Sequence, residues 1–147
     1  ILILDGITDT KNFGAIVRSA ECFGVDFIVV SKSGNSPING ETIKSSSGAI
    51  FNVPICKVDH IKDAIYFLKE FGIKIIGSDD EGSKNLFKHK FEEQCAIIMG
   101  SEGDGIKKSI LKLCDDKINI PLYGKLSSLN VSVATGIFLS EFKRQQS

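Results

Sequence analysis

Short apolar runs alternate with amphipathic helical patterns from the start of this chain. Residues 1–4 and 27–30 are apolar and rich in β-branched side chains, which is typical of buried strands. Between them, apolar residues recur at helical spacing within residues 16–23, and Gly24 follows as a helix-ending residue. The pattern predicts a strand, a helix and a second strand.

The same alternation continues toward the C-terminus. A second helical pattern, residues 61–71, follows Asp59 as candidate N-cap and ends at Gly72. The later elements are predicted to be strand, strand, helix, strand and helix, at residues 74–77, 95–99, 106–113, 117–120 and 133–141. This order predicts an α/β fold with a mostly parallel sheet covered by helices on both faces.

The polar stretch 31–48 is the one segment that resembles a linker. In a chain of 147 residues it is better interpreted as surface loops with a short helix. We therefore expect a single domain over residues 1–147, large enough to bury a core. Because the chain begins at Ile1 inside a strand, without methionine, we expect it to be the catalytic domain of a longer protein.

Composition excludes several classes of protein. Hydrophobic residues make up 42% and charged residues 24% of the chain, which argues against disorder. No apolar run approaches the ~18 residues of a membrane-spanning helix, so we expect no membrane association. Eighteen basic residues balance eighteen acidic ones, and any role with nucleic acid must therefore depend on local sites.

The cysteines and histidines give no sign of a metal centre. Four cysteines without a close pair and two histidines form no zinc-ligand spacing, and we expect no metal. We expect buried, reduced thiols rather than disulfides, which is typical of a cytoplasmic protein. The cysteines concerned are Cys22, Cys56, Cys95 and Cys114.

Other standard sites are also missing. No phosphate-binding loop and no dinucleotide fingerprint follows the first strand, which argues against nucleotide hydrolysis and nicotinamide-dependent redox chemistry. A Ser-His-Asp hydrolase would have to use His60 or His89, and neither lies in a recognisable motif. The acidic residues 79–81 and the lysines around His89 are interpreted as solvated surface.

The first candidate motif is LDGITDTKNFGAIVRSA, residues 4–20, in which a strand leads through polar residues into a helix. Asn12 could cap that helix, and Gly14 would let another chain segment or a ligand approach. Arg18 points away from the apolar stripe at 3.6 residues per turn, and this position taken alone favours an ordinary solvated helix arginine.

Two further motifs have the same order of strand, polar junction and helix. In IIMGSEGDGI, residues 97–106, three glycines surround Glu102 and would admit either a ligand or a tight turn. In INIPLYGKLSSLNVSVATGI, residues 118–137, Ser127, Ser128 and Asn130 are also ordinary helix-start residues. All three junctions are predicted at the carboxyl edge of the sheet, where open α/β sheets bind small molecules.

In this order and spacing, the three motifs resemble the SpoU family of RNA ribose methyltransferases in the SPOUT superfamily. The resemblance covers essentially the whole chain, and SLNVS at residues 128–132 before a helix is its most specific part. It is strongest to the bacterial members that methylate a guanosine ribose of large-subunit ribosomal RNA. Thr10 departs from the family pattern, which usually has proline there.

The resemblance implies a C-terminal trefoil knot, an exception to the rule that chains avoid knots, and this knot forms the S-adenosylmethionine pocket. It implies a homodimer, an RNA substrate and, in full-length relatives, an additional N-terminal RNA-binding domain. The expected activity is methyl transfer from S-adenosylmethionine to a ribose 2'-hydroxyl, without a metal. The predicted substrate is a guanosine of 23S rRNA.

Site residues follow from the same resemblance. It implies that the cofactor is held by Gly100, Ile120, Leu122 and Leu129. It implies a catalytic and substrate-positioning set of Asn12, Arg18, Glu102, Ser128 and Asn130. Since a guanidinium keeps its proton in proteins, we expect Arg18 to clamp RNA phosphate and the developing alkoxide, oriented by Asn12. The base would be a water molecule or a substrate phosphate.

Three alternatives remain at this point. A 2'-O-methyltransferase acting on tRNA would have the same motifs. A non-catalytic RNA-binding SPOUT domain would have lost a motif residue, and none is lost here. A superfamily member that methylates a base nitrogen of tRNA is expected to lack this combination of Asn12, Arg18 and residues 128–132.

Overall fold

The computed structural model describes all 147 residues and contains one seven-stranded, entirely parallel sheet. The strands are β1 (Leu2–Asp5), β2 (Ile28–Ser31), β3 (Ile55–Val58), β4 (Lys74–Ser78), β5 (Lys84–Asn85), β6 (Cys95–Gly100) and β7 (Asp116–Asn119). Their order across the sheet is β3-β2-β1-β6-β4-β7-β5. The α/β prediction is therefore confirmed, with two strands beyond those predicted.

Helices cover both faces of the sheet, as predicted. They are α1 (Thr10–Cys22), α2 (Gly40–Ser45), α3 (Ile61–Glu70), α4 (Lys108–Leu111) and α5 (Val131–Gln146). Side chains of α1 and α5 share one apolar cluster, whereas those of α3 and α4 belong to a second cluster. No helix is long and apolar enough to cross a membrane.

The two central strands supply both clusters because strand side chains alternate between faces. In β1, Leu2 and Leu4 pack with α1, whereas Ile3 packs with α3. All six residues of β6 are buried, which explains the uninterrupted apolar run that predicted it. Because β1 and β6 are paired in parallel, their carboxyl ends lie side by side, with Asp5 opposite Gly100.

Three predicted helix boundaries were wrong for identifiable reasons. Asp59 does not cap α3, because its carboxylate forms an ion pair with Lys32 at 2.8 Å and His60 occupies the N-cap. The predicted helix 106–113 is reduced to the four residues of α4. α5 begins two residues before its apolar pattern, since Asn130 caps it.

The cysteine prediction is confirmed in part. All four thiols are free, and burial raises the pKa of Cys95 and of Cys114 to about 11. Cys22 and Cys56 are exposed, so the prediction of burial was wrong for these two. Cys22 ends α1 on its outer side, and Cys56 lies in the edge strand β3.

Gly14 is the point at which α2 approaches α1. A Cβ atom there would overlap Ser45 Oγ and would lie 2.9 Å from the backbone nitrogen of Ser46. Ser45 Oγ in turn donates to the carbonyl of Thr10 at 3.1 Å. The glycine thus admits another chain segment rather than a ligand.

Gly14→Ala should lower the free energy of unfolding by about 1–3 kcal/mol, because the added methyl group pushes α2 away from α1. Gly136→Ala in α5 is the matched control, since its Cβ would meet nothing closer than Ser19 Oγ at 3.9 Å. Alanine in that helix should be neutral or stabilising. Urea unfolding would measure both, and equal midpoints would contradict the close contact at Gly14.

Candidate functional site

Residues from all three sequence motifs meet at the carboxyl edge of the sheet. Asn130 lies directly before α5, and its Nδ2 donates hydrogen bonds to Asn12 Oδ1 at 3.0 Å and to Glu102 Oε1 at 2.6 Å. Asn12 lies in the first turn of α1, and Glu102 lies in the loop after β6. One side chain therefore connects the three strand-to-helix junctions.

The Asn130 amide is oriented by the helix that it caps. Its Oδ1 accepts from the backbone N–H of Ser132 at 3.0 Å, from the Ser132 hydroxyl at 2.6 Å and from Val133 N–H at 3.4 Å. With the oxygen turned toward α5, the NH₂ group must face Asn12 and Glu102. Asn130 is thus both a helix-start residue and a member of the cluster.

Asn12 does not cap α1, contrary to one sequence prediction. Asp9 is the N-cap, and its carboxylate accepts the backbone N–H of Asn12 at 2.7 Å. The Asn12 side chain is therefore available to accept from Asn130. It makes no hydrogen bond to Arg18, so it does not orient that guanidinium in this structure.

At Thr10, where the family usually has proline, a side-chain hydrogen bond restrains the chain instead. Thr10 Oγ1 donates to Glu41 Oε2 on α2 at 2.7 Å. Together with the contact from Ser45, this hydrogen bond holds the first turn of α1 against α2. The loop before Asn12 is therefore fixed by side-chain contacts.

Residues 101–106, the Glu102 loop, form a tight turn that is held by its own backbone hydrogen bond. The backbone N–H of Gly105 donates to the carbonyl of Ser101 at 3.0 Å, and Gly103 and Gly105 have φ of +86° and +66°. A Cβ atom at Gly100 would overlap the Gly105–Ile106 peptide. Both sequence interpretations thus apply, because the glycines build a turn and that turn borders a cavity.

That cavity has a volume of about 850 Å³, within the range of sites that hold small molecules. It lies between the segment after β4, the Glu102 loop and the segment before α5. Its walls are residues 78–81, 99–106 and 127–131, together with Lys108, Leu111 and Ala134. The arrangement can enclose a ligand of nucleoside size.

The cavity lining is acidic. Five carboxylates line it, against the single basic residue Lys108. Burial, and then the charge of Asp79, raise the pKa of Asp80. The acidic residues are Asp79, Asp80, Glu81, Glu102 and Asp104. Such a lining favours a ligand that carries positive charge.

The acidic stretch 79–81 is the part of the site that sequence reasoning missed. The sequence predicts solvated surface, and Asp80 and Glu81 are indeed exposed, but the stretch also borders the cavity. The available signal was its position directly after strand β4, at the same edge as the three motifs. Charge alone hid this role because acidic loops are usually solvated.

The remaining predicted site residues fall into two groups. Gly100, Ser128 and Leu129 line the cavity. Ile120 and Leu122 follow β7 and do not line it. Arg18 is exposed on α1 and does not line the cavity, and its guanidinium makes neither a hydrogen bond nor an ion pair within the chain.

Comparison with known proteins identifies a family over most of the chain. The model of the SpoU rRNA Methylase family matches residues 1–140. The chain is 40% identical over 146 residues to 23S rRNA (guanosine-2'-O-)-methyltransferase RlmB of Yersinia pestis, covering 99% of this chain and 59% of that protein. It is 41% identical over 147 residues to RlmB of Escherichia coli K12, covering 100% and 60%. The chain thus spans about three-fifths of the length of these relatives.

Solved structures share the fold. The SpoU methyltransferase AviRb from Streptomyces viridochromogenes, in complex with AdoMet, superposes with a TM-score of 0.91 at 26% identity, covering 99% of this chain and 57% of that one. The A. aeolicus TrmH/SpoU tRNA modifying enzyme superposes with a TM-score of 0.90 at 32% identity, covering 99% and 74%.

Proposed function

Because this chain belongs to the SpoU rRNA Methylase family, we propose that it transfers a methyl group from S-adenosylmethionine to a ribose 2'-hydroxyl of RNA. The observation that carries the proposal is the contact of Asn130 with both Asn12 and Glu102. It gathers polar groups from three motifs beside a cavity large enough for a nucleoside-sized cofactor. The curated relatives named above are methyltransferases of this kind.

The cavity fits S-adenosylmethionine in size and charge. When bound, this cofactor supplies a methyl group on a positively charged sulfonium. The carboxylates of the lining complement that charge, and Gly100 and Leu129 offer main chain and apolar surface. Ile120 and Leu122 belong to the proposed cofactor set through the family resemblance, since neither lines the cavity and Ile120 packs against the apolar cluster shared by α1 and α5.

The chain's own residues would bind and orient the ribose. A 2'-hydroxyl is a poor nucleophile until its proton leaves, so the site must position the oxygen and stabilise its developing charge. Asn130 holds Glu102 through one oxygen, which leaves the other carboxylate oxygen for a hydroxyl or a water molecule. Ser128 supplies a further hydroxyl on the cavity wall.

Arg18 is proposed to grip RNA phosphate and the developing alkoxide. Its exposure and lack of a partner within the chain leave the guanidinium free for such a contact. Arg18→Ala should therefore lower the methylation rate by about a hundredfold and leave cofactor affinity nearly unchanged. Arg18→Lys should recover only a small part of the rate, because it lacks the planar fork.

Single-turnover methylation assays and calorimetry with S-adenosylmethionine would measure the two effects of Arg18 separately. Nearly full activity of Arg18→Lys would show that a point charge is sufficient. Full activity of Arg18→Ala would identify Arg18 as a solvated helix residue, and the catalytic assignment would then rest on Glu102, Ser128 and Asn130.

The proposed substrate is a guanosine of 23S rRNA in the cytoplasm. The names of the curated relatives support rRNA, whereas a structural neighbour at 32% identity is named a tRNA modifying enzyme. The experiment compares methylation of unmodified 23S rRNA and unmodified tRNA by the full-length protein with labelled S-adenosylmethionine. Preferential labelling of tRNA would favour the tRNA alternative, and cofactor binding without transfer would favour a non-catalytic RNA-binding domain.

The proposal includes the trefoil knot around the cofactor cavity. The path of the C-terminal segment supports this proposal. From β7, which lies between β4 and β5, the chain runs along the cavity at residues 127–131 and then packs against α1 through α5. This route brings the C-terminal segment back across the sheet beside the Glu102 loop. Cofactor binding and C-terminal packing would then depend on each other.

The proposal also includes a homodimer. Tyr123, Leu126 and Val133 are 93%, 82% and 51% exposed around the start of α5, whereas Phe138 of the same helix is fully buried. A second copy would cover this exposed apolar surface. Along residues 133–138 of α5, Phe138 thus packs in the core, whereas Val133 is exposed and available for an interface.

Light scattering at micromolar concentration should give twice the 16.0 kDa mass of one chain. Val133→Lys should shift the protein toward the monomer. Phe71→Lys is the control, since Phe71 is 67% exposed directly after α3, outside that surface, and should stay dimeric. A wild-type mass near that of one chain would contradict the homodimer.

A further inference from the structure

Asp5 is a buried carboxylate directly beneath the Glu102 loop. It ends the central strand β1, is 2% exposed, and lies opposite Gly100 in the parallel ladder with β6. Its Oδ2 accepts the backbone N–H of Lys107 at 2.9 Å. Burial of a carboxylate is costly unless its charge is compensated, so this position calls for an explanation.

The compensation of that charge is incomplete. Asp5 Oδ1 accepts no hydrogen bond, and its nearest cation is the ammonium of Lys107 at 3.3 Å. The Lys107 side chain is 71% exposed, so most of the ion pair's cationic side remains in water. An arrangement this imperfect is a poor source of stability compared with a buried apolar residue.

The geometry gives Asp5 a different role. The Glu102 loop leaves the sheet at Gly100, which is the ladder neighbour of Asp5, and ends at Lys107, whose N–H Asp5 accepts. One residue therefore holds both ends of residues 101–106. Lys107 has a non-helical backbone, with φ −53° and ψ 135°, and is the N-cap of α4, so the predicted helix does not begin at residue 106.

We propose that Asp5 is a positioning residue that clamps the Glu102 loop so that Glu102 meets Asn130. This inference rests on the proposed methyltransferase function. The Glu102 carboxylate approaches the Asn130 amide at 2.6 Å, and a small displacement of the loop would break that contact. Displacements of about 1 Å at a reacting site can reduce rates by roughly a hundredfold.

The test compares Asp5→Ala and Asp5→Asn with a matched control, Asp115→Ala. Asp115 makes the same kinds of contact, to Ile75 N–H at 2.8 Å and to the Lys69 ammonium at 2.9 Å. It precedes β7 and thus lies at the opposite, amino edge of the sheet. We expect Asp5→Ala to lower kcat at saturating S-adenosylmethionine and RNA by roughly tenfold to a hundredfold.

Asp5→Asn should recover most of kcat, because an amide oxygen can still accept from Lys107 N–H. Asp115→Ala should lower stability and leave kcat unchanged. Wild-type kcat in Asp5→Ala, or an equal loss of kcat in Asp115→Ala, would overturn the proposal. So would loss of kcat in a folded Asp5→Asn variant as large as that in Asp5→Ala.

Amide hydrogen exchange tests the clamp without catalysis. In the wild-type protein, we expect the Lys107 amide to exchange as slowly as amides of β6, and Asp5→Ala to accelerate exchange across residues 101–106. Rapid exchange of Lys107 in the wild type would overturn the clamp even if Asp5→Ala does not fold. Absence of methyl transfer by the wild type would instead contradict the proposed function, and exchange would still decide the clamp.

Discussion

Gly100→Ala should abolish detectable binding of S-adenosylmethionine. The added Cβ would overlap the carbonyl carbon of Gly105 and the nitrogen of Ile106, and neither backbone atom can rotate away. The loop that forms one wall of the cavity would have to move, taking Glu102 away from Asn130. The sequence alone predicts that a branched side chain, as in Gly100→Val, would fill space that the ligand needs. In the structure, even the methyl group of Gly100→Ala would displace the Glu102 loop, which forms one wall of the cavity.

Calorimetry on folded protein would measure this effect. Gly124→Ala is the matched control, since no atom lies within 4 Å of its Cβ position. It also follows β7 in the segment that leads to the cavity, and it should bind the cofactor as the wild type does. Unchanged affinity in Gly100→Ala would place the cofactor site elsewhere in the molecule.

Asn130→Asp should lower the methylation rate by about a thousandfold while α5 stays capped. Aspartate and asparagine are equally good N-caps, so the acceptor for Ser132 and Val133 is preserved. The variant loses both N–H donors and places a second carboxylate next to Glu102. Two adjacent carboxylates repel each other, so the contact that joins these junctions would be lost.

Asn39→Asp is the control for the cap itself. Asn39 caps α2 by accepting from Glu41 and Thr42, away from the cavity. Thermal unfolding should give similar midpoints for both variants, and only Asn130→Asp should lose methylation. Wild-type methylation in Asn130→Asp would show that Asn130 serves only the helix.

Periodicity predicted most of the sheet because its central strands are buried on both faces. Residues 95–99 of β6 form one apolar run, and this run predicts a buried strand. β3 and β5 were missed because both are edge strands with exposed polar residues, and β5 contains only two residues. Order across the sheet could not be predicted, since β6 pairs with β1 and β4 at large sequence separation.

The candidate site was predictable as a set of residues but not as a geometry. The motifs and their family resemblance selected Asn12, Glu102 and Asn130, and the structure brings these three together. Their contacts depend on how the chain returns from β7 to α1, because Asn12 and Asn130 are separated by 118 positions in the sequence. For Arg18 the sequence predicts the position, since the side chain is exposed as expected. Its proposed role depends on a contact with RNA and not on a contact within the chain.

The contacts of Asp5 and the position of residues 79–81 beside the cavity could not be predicted from residue type alone. Asp5 reads as the polar end of a strand, and its contact with Lys107 exists only because β1 and β6 are neighbours. The charge of residues 79–81 predicts a solvated loop, and Asp80 and Glu81 are exposed; their position after β4 also places them at the cavity. In both cases sheet order, rather than local sequence, determines what the carboxylate touches.

Methyl transfer to a ribose 2'-hydroxyl is tested most directly by one measurement. The full-length protein is incubated with S-adenosylmethionine labelled in the methyl group and with unmodified 23S rRNA, and the RNA is then hydrolysed in alkali. A 2'-O-methyl group blocks cleavage of the adjacent phosphodiester, so we predict label in a single alkali-resistant dinucleotide that begins with guanosine. Label in mononucleotides, which indicates a methylated base, or no label from protein that binds the cofactor, would contradict methylation of a ribose 2'-hydroxyl.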